Sequence, residues 1–138
     1  MKIKIDLRSQ YKNVIPVCKI YSRYSEYTIE IPNNLKFEQD FDIKMKDFLH
    51  IEFVNKDGND DNVIFIDSIE IDGINLQHYI YEGTFYPEYD ADWLSEQSTT
   101  PPTTYKPCTE LRLKGVWKFS IITPIWKMIM EKWLNDSR

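Results

Sequence analysis

The chain has 138 residues, 42% hydrophobic and 28% charged, with 17 basic and 22 acidic side chains giving a formal net charge of −5. That length suits one hydrophobic core and is short for two. The acidic excess, with no run of Lys or Arg, argues against a phosphate-binding surface, so nucleic acid is not an expected partner.

Met1 to Leu7 alternates apolar and charged residues, unlike the apolar stretch of a secretory signal, so no export signal is expected. No segment approaches the roughly 18 apolar residues of a membrane span, and no membrane partner is expected. Ile3, Ile5 and Leu7 alternate with Lys4 and Asp6 and predict a first strand. Ile15 to Tyr21 is rich in β-formers but holds Pro16, which predicts an edge strand. Glu26 to Ile31 alternates and stops at the turn signal Pro32-Asn33-Asn34. Phe41, Ile43 and Met45 alternate with Asp42, Lys44 and Lys46, and Phe48 to Val54 follows across a tight turn at Asp47.

Asn55 to Asn62 is a polar, acid-rich loop. Val63 to Ile66 is a continuous apolar run, the pattern of a strand covered on both faces or of a bulged central strand. Alternation resumes from Asp67 to Ile71, Asp72-Gly73 predicts a two-residue hairpin, and Ile74 to Tyr81 is the returning strand. From Gly83 to Pro107 the periodicity is interrupted by Pro87, Pro101, Pro102 and Pro107, and a loop of that length is either functional or mobile. Leu111, Leu113, Trp117, Phe119 and Ile121 restore a strand, with a bulge expected at Gly115. Thr123 as N-cap and Pro124 in the first helical position predict a helix at about 124–135. The expected fold is all-β and mainly antiparallel: a jelly-roll-like β-sandwich with one short C-terminal helix, in a single domain over residues 1–138.

The two histidines, His50 and His78, form no His-x-x-x-His pattern, and Cys18 and Cys108 form no Cys-x-x-Cys. With no nucleophile elbow and no Gly-rich phosphate loop either, no catalytic residue is assigned and no enzymatic activity is expected. Two cysteines ninety positions apart make no disulfide framework, and a reduced pair is expected.

Three groups of residues are candidates for binding. The acidic loop offers Asp57, Asp60 and Asp61 as oxygen ligands for calcium, with a plain polar turn as the competing reading. The helix-loop-helix calcium pattern begins with Asp57-x-Asn59-x-Asp61, then fails at Asn62 and Ser68. An aromatic cluster, Tyr79, Tyr81, Phe85, Tyr86, Tyr89 and Trp93, leads into the long loop. It could pack internally, form a protein interface through Tyr86, Tyr89 and Trp93, or stack on sugar through Tyr79, Tyr81, Tyr86 and Trp93. The C-terminal stripe of Trp126, Ile129, Met130 and Trp133 packs on its own sandwich or on a neighbouring protein.

The segment Phe53-Val54-Asn55-x-Asp57, followed by Asp61-Asn62-Val63-Ile64-Phe65-Ile66-Asp67-Ser68-Ile69-Glu70-Ile71-Asp72-Gly73, resembles the calcium-dependent xylan-binding type of carbohydrate-binding module. The resemblance implies a β-sandwich with Asp57 and Asp61 as ion ligands. The sequence departs from that pattern with Lys56 where the loop acid falls, and it lacks the arginine that follows the second Asp. The tail Gly115-Val116-Trp117-Lys118-Phe119, then Pro124 and Trp133-Leu134, is similar in layout to virion components of large tailed phages. That second resemblance implies a non-catalytic structural or assembly protein, tail- or capsid-associated. Such a protein is made in the host cytoplasm, resides in the virion, joins other virion proteins in an oligomeric assembly and holds no cofactor. The alternative is a carbohydrate-binding module with a polysaccharide partner and a calcium ion.

Overall fold

The computed structural model describes residues 1–56, 60–122 and 125–136; the side chains of residues 125, 126, 132, 135 and 136 lie outside the description. Alternation in β1 (Lys2–Gln10) fixes the first layer, because Ile3, Ile5 and Leu7 are buried while Lys2, Lys4 and Arg8 face solvent. β1 pairs antiparallel with β4 (Asn34–Asp40) on one side and with β6 (Val63–Ile71) on the other. β7 (Ile74–Asn75) and β9 (Glu110–Leu111) complete this five-stranded sheet against β6. The second five-stranded sheet runs β3 (Glu26–Glu30), β2 (Val17–Tyr21), β5 (Lys46–Phe53), β10 (Gly115–Ile122) and β8 (Thr84–Pro87), all antiparallel.

The two inner faces meet in one core. Ile3, Ile5, Leu7 and Ile69 from the first sheet join Ile20, Leu49, Ile51, Trp117 and Phe119 from the second. Each such side chain contributes about 1.5–3 kcal/mol on burial, which is why a half-polar sequence still folds as a β-sandwich. Cys18 and Cys108 are free thiols, and burial pushes the Cys18 thiol up to about 12.

Several expected elements are displaced, each for a local reason. β2 is an interior strand between β3 and β5; Pro16 precedes it and costs no ladder bond, while its carbonyl accepts the Ile31 N–H at 2.9 Å. The strand expected at Phe41 to Met45 lies instead at β4, where Leu35 and Phe37 face inward opposite β1, and the chain turns at Met45 (φ 58°). β6 is the bulged central strand. Its partner on β1 steps from Asp6↔Ser68 to Leu7↔Ile66, leaving Asp67 as the extra residue. Asp67 then receives Arg8 through two bonds of 2.7 and 3.1 Å, and the Arg8 guanidinium covers the Phe65 ring at 4.5 Å. The bulge is therefore here and not at Gly115, which pairs regularly with Phe53 and Pro87.

Asp72 (φ 49°) and Gly73 (φ 83°) form the expected hairpin turn. The returning strand ends after Asn75, whose side chain accepts the Gln77 N–H at 2.8 Å and turns the chain into a 3-10 turn at Ile80–Glu82. The single late strand is two: β9 joins the first sheet and β10 the second. Among the described residues, the α-helices are α1 (Ala91–Ser95), inside the segment expected to be irregular, and α2 (Ile125–Asp136) at the end. The expected cap, Thr123 and Pro124, lies outside the described residues. Among the described residues, no helix is long and apolar enough to cross a membrane.

Candidate functional site

The segment after β8 is tied down at both ends. Phe85 pairs with Trp117 on β10, and on its other side it exchanges two backbone bonds of 2.9 Å with Tyr105. Between these anchors Asp90 caps α1 by accepting the Asp92 N–H at 2.9 Å. That single turn presents Trp93, which keeps 44% of its surface exposed and stacks on Tyr89 at 5.3 Å and 18°. The Tyr89 hydroxyl donates its one proton to the Pro102 carbonyl at 2.7 Å, so the Tyr105 hydroxyl, 3.0 Å away, donates to Tyr89. Burial and the Tyr105 hydrogen bond push the Tyr89 phenol up to about 12. The bonds that order the loop therefore persist across neutral pH.

These rings form one wall of an open groove of about 750 Å³. Leu113 and Lys114, on the turn between β9 and β10, line it from across, and Lys56 comes from the acidic loop. Glu88 lies at its edge, 3.8 Å from the Lys114 ammonium, and its N–H donates to the Lys114 carbonyl at 2.7 Å. Flat apolar rings beside ion-paired hydrogen-bonding groups suit a ligand with one apolar face and a polar rim. A sugar ring has that form, with C–H bonds on its face and hydroxyls at its edge.

No family model and no curated protein matches the chain by sequence. A solved structure of a vCBM60 in complex with galactobiose, a carbohydrate-binding module, matches it with a TM-score of 0.57 over 86% of this chain and 97% of that one, at 11% identity. The likeness is one of fold. It agrees with the β-sandwich expected from strand alternation and leaves the role of each side chain to the geometry.

Of the expected aromatic residues, the fold brings Tyr89 and Trp93 together in the groove and disperses the rest. Tyr86 points to the outer face of the second sheet, under the Lys118 ammonium at 4.9 Å. Tyr79 packs against the core, and Tyr81 is exposed on the 3-10 turn. Neither lines the groove. On β8 alternation turns Tyr86 outward, because its neighbour Phe85 faces the core. Sequence reading misses Tyr105, Leu113 and Lys114, which the Phe85–Tyr105 bridge and the β9–β10 turn bring beside Trp93, and Glu88, whose place is shown by its contact with Lys114.

In the acidic loop, Asp60 and Lys56 make the described side-chain contacts. The Asp60 carboxylate is buried and accepts the N–H groups of Lys12 (3.0 Å), Asn13 (3.0 Å) and Val14 (2.7 Å). The Val14 bond first, opposed by burial and helped by Asn13 and Lys12, holds that carboxyl below its ordinary range. Lys56 sends its ammonium to the carbonyls of Asp60 (2.7 Å) and Asn62 (3.1 Å). A cation thus already sits among the loop carbonyls, where calcium would have to compete with it. Asp61 is exposed, and Asp57 lies outside the described residues. Among the described residues, no three His, Cys, Asp or Glu side chains converge as a metal site.

The C-terminal stripe also divides. α2 packs on the core through Met128 and Ile129, while Met130 (50%), Trp133 (58%) and Leu134 (45%) are exposed. The Trp126 side chain lies outside the described residues.

Proposed function

We propose that this chain is a non-catalytic carbohydrate-binding domain whose groove at Trp93, Tyr89 and Tyr105 receives a polysaccharide. The observation that carries the reading is the stacked Trp93–Tyr89 pair on the wall of an open groove with paired charges at its rim. The fold it shares with a module bound to galactobiose supports it. Trp93→Ala should weaken retention on an immobilised polysaccharide about tenfold, the loss expected for one exposed stacking ring. Titration calorimetry with soluble oligosaccharide checks the size of the effect. Equal binding by wild type and Trp93→Ala would overturn the groove as the site.

Binding works without calcium in this reading, because Asp60 is committed to the 12–14 backbone and Lys56 supplies the positive charge. Excess chelator should then leave Tm unchanged to within about 1 °C, since only a ligand that binds the native state raises it. A calcium-dependent rise in Tm would return the ion to the loop.

A second reading is favoured by one observation, the exposed Met130, Trp133 and Leu134 on α2. An apolar face of this kind suits attachment within an assembly such as a virion. Sedimentation of wild type against Trp133→Ser and Met130→Ser tests it, with self-association or partner capture lost in the variants.

A further inference from the structure

A second cavity, of about 430 Å³, opens on the far side of Tyr105, and Tyr105 and Leu113 line both it and the groove. Its wall is the strap from Pro107 to Arg112, which runs into β9. The strap is anchored from beneath, because the buried Trp117 indole donates to the Cys108 carbonyl at 2.8 Å. The two cavities are therefore neighbouring parts of one built surface, with Tyr105 standing between them. Each alone falls in the range of about 300–1,000 Å³ that small-ligand sites occupy. Together they offer more space than one or two sugar rings fill.

The charges along this surface balance. Lys56, Lys114 and Arg112 are matched by Glu88, Asp90 and Glu110. Arg112 Nε contacts Glu110 at 3.0 Å, and Lys114 faces Glu88 at 3.8 Å. Lys56 is held by two carbonyls, and Asp90 caps α1. A polyuronate or sulfated chain would have to displace a carboxylate from Lys114 and from Arg112, and two carbonyls from Lys56. Neutral hydroxyls can instead donate to the carboxylates and accept from the cations while the pairs stay intact.

Building on the carbohydrate reading above, we infer that the ligand is an uncharged, linear glycan of several units. It runs from Trp93 across Tyr105 to the Glu110–Arg112 pair. The groove holds the first units by stacking, and the second cavity holds the later ones by hydrogen bonding. Binding energy then accumulates with chain length until both cavities are full.

The test uses the intact chain and neutral linear oligosaccharides of galactose, xylose, mannose and glucose, from one to six units, by titration calorimetry. Affinity for the sugar that binds should rise about tenfold or more between two and five units, the gain of one further set of contacts. It should change little when salt is raised, since the chain carries no charge. Arg112→Ala should shrink the five-to-two ratio to about threefold or less, because it removes the donor at the distal end. Cys108 gives an independent readout. Cys108 lines the second cavity with its thiol donating to the Glu110 carbonyl at 3.1 Å, whereas Cys18 is fully buried, so slow maleimide labelling of the native protein reports Cys108. Five units should protect that thiol and two should not.

Affinity that is flat beyond two units, with Cys108 labelled equally in both complexes, overturns the extended site while leaving sugar binding at Trp93 standing. Equal or tighter binding of a polyuronate overturns the neutral assignment. No heat and no protection with any sugar of any length removes the carbohydrate reading itself and this inference with it.

Discussion

Gly83→Ala is expected to destabilise the protein by about 3 kcal/mol, at the upper end of what overpacking a closed core costs. Gly83 has an ordinary extended backbone (φ −62°, ψ 138°), so conformational freedom is not why glycine stands there. The reason is proximity, since a Cβ at this position would overlap ring atoms Cζ2, Cε2 and Nε1 of Trp117. The indole cannot retreat. It is fully buried, stacks on Phe119 at 5.6 Å and 8°, and is held by its bond to Cys108. A domain of this size loses roughly 3–5 °C of Tm per kcal/mol, so thermal unfolding should begin about 10 °C earlier. Trp117→Phe in the Gly83→Ala background should recover part of the loss, because the smaller ring vacates the overlapping volume. A double-mutant cycle with coupling of about 1 kcal/mol or more would establish the contact, and strict additivity would refute it.

The second large effect concerns Asp60. Asp60→Asn keeps the shape of the side chain but turns an amide toward three backbone N–H groups that now face a carboxylate. At neutral pH the variant should melt on the order of 5 °C or more below wild type, as expected when a buried acceptor for three donors is lost. The pH dependence identifies the cause. The folded carboxyl titrates below its ordinary value of 3.8, chiefly through the Val14 bond, so the folded state favours the ionised form. Its contribution is complete above that ordinary value and is lost as pH falls through the lower, folded one. The gap in Tm between wild type and Asp60→Asn should be full from pH 5 to 7 and close as the medium is acidified below about pH 4. A gap that persists unchanged into acid would mean that packing, and not the carboxylate, is responsible.

How far the sequence could be read depends on the range of the forces involved. The β-sandwich is legible because Ile3, Ile5 and Leu7, or Trp117, Phe119 and Ile121, record in their alternation which face is buried. The hairpin at Asp72-Gly73 is legible because two successive positive φ angles admit few residue types. β4 escapes such reading, since only Leu35 and Phe37 of its seven residues face inward and the strand owes its place to pairing with β1. The groove was half legible. Tyr89 and Trp93 announce themselves as aromatic residues in a proline-rich stretch, whereas Tyr105 and Lys114 join them through long-range strand bridges that leave no local pattern. In the acidic loop, composition suggests oxygen ligands for a cation, and the fold brings the Lys56 ammonium to the Asp60 and Asn62 carbonyls. A tally of acids cannot reveal that a lysine four residues earlier folds back over them.

That lysine places a side-chain ammonium at the Asp60 and Asn62 carbonyls. A cationic group on a covalent stem belongs to the chain itself and is not drawn from the surrounding fluid. Its contacts with the Asp60 and Asn62 carbonyls therefore need no dissolved mineral to form. Only chemistry on the amine itself, such as acylation, would take that charge away.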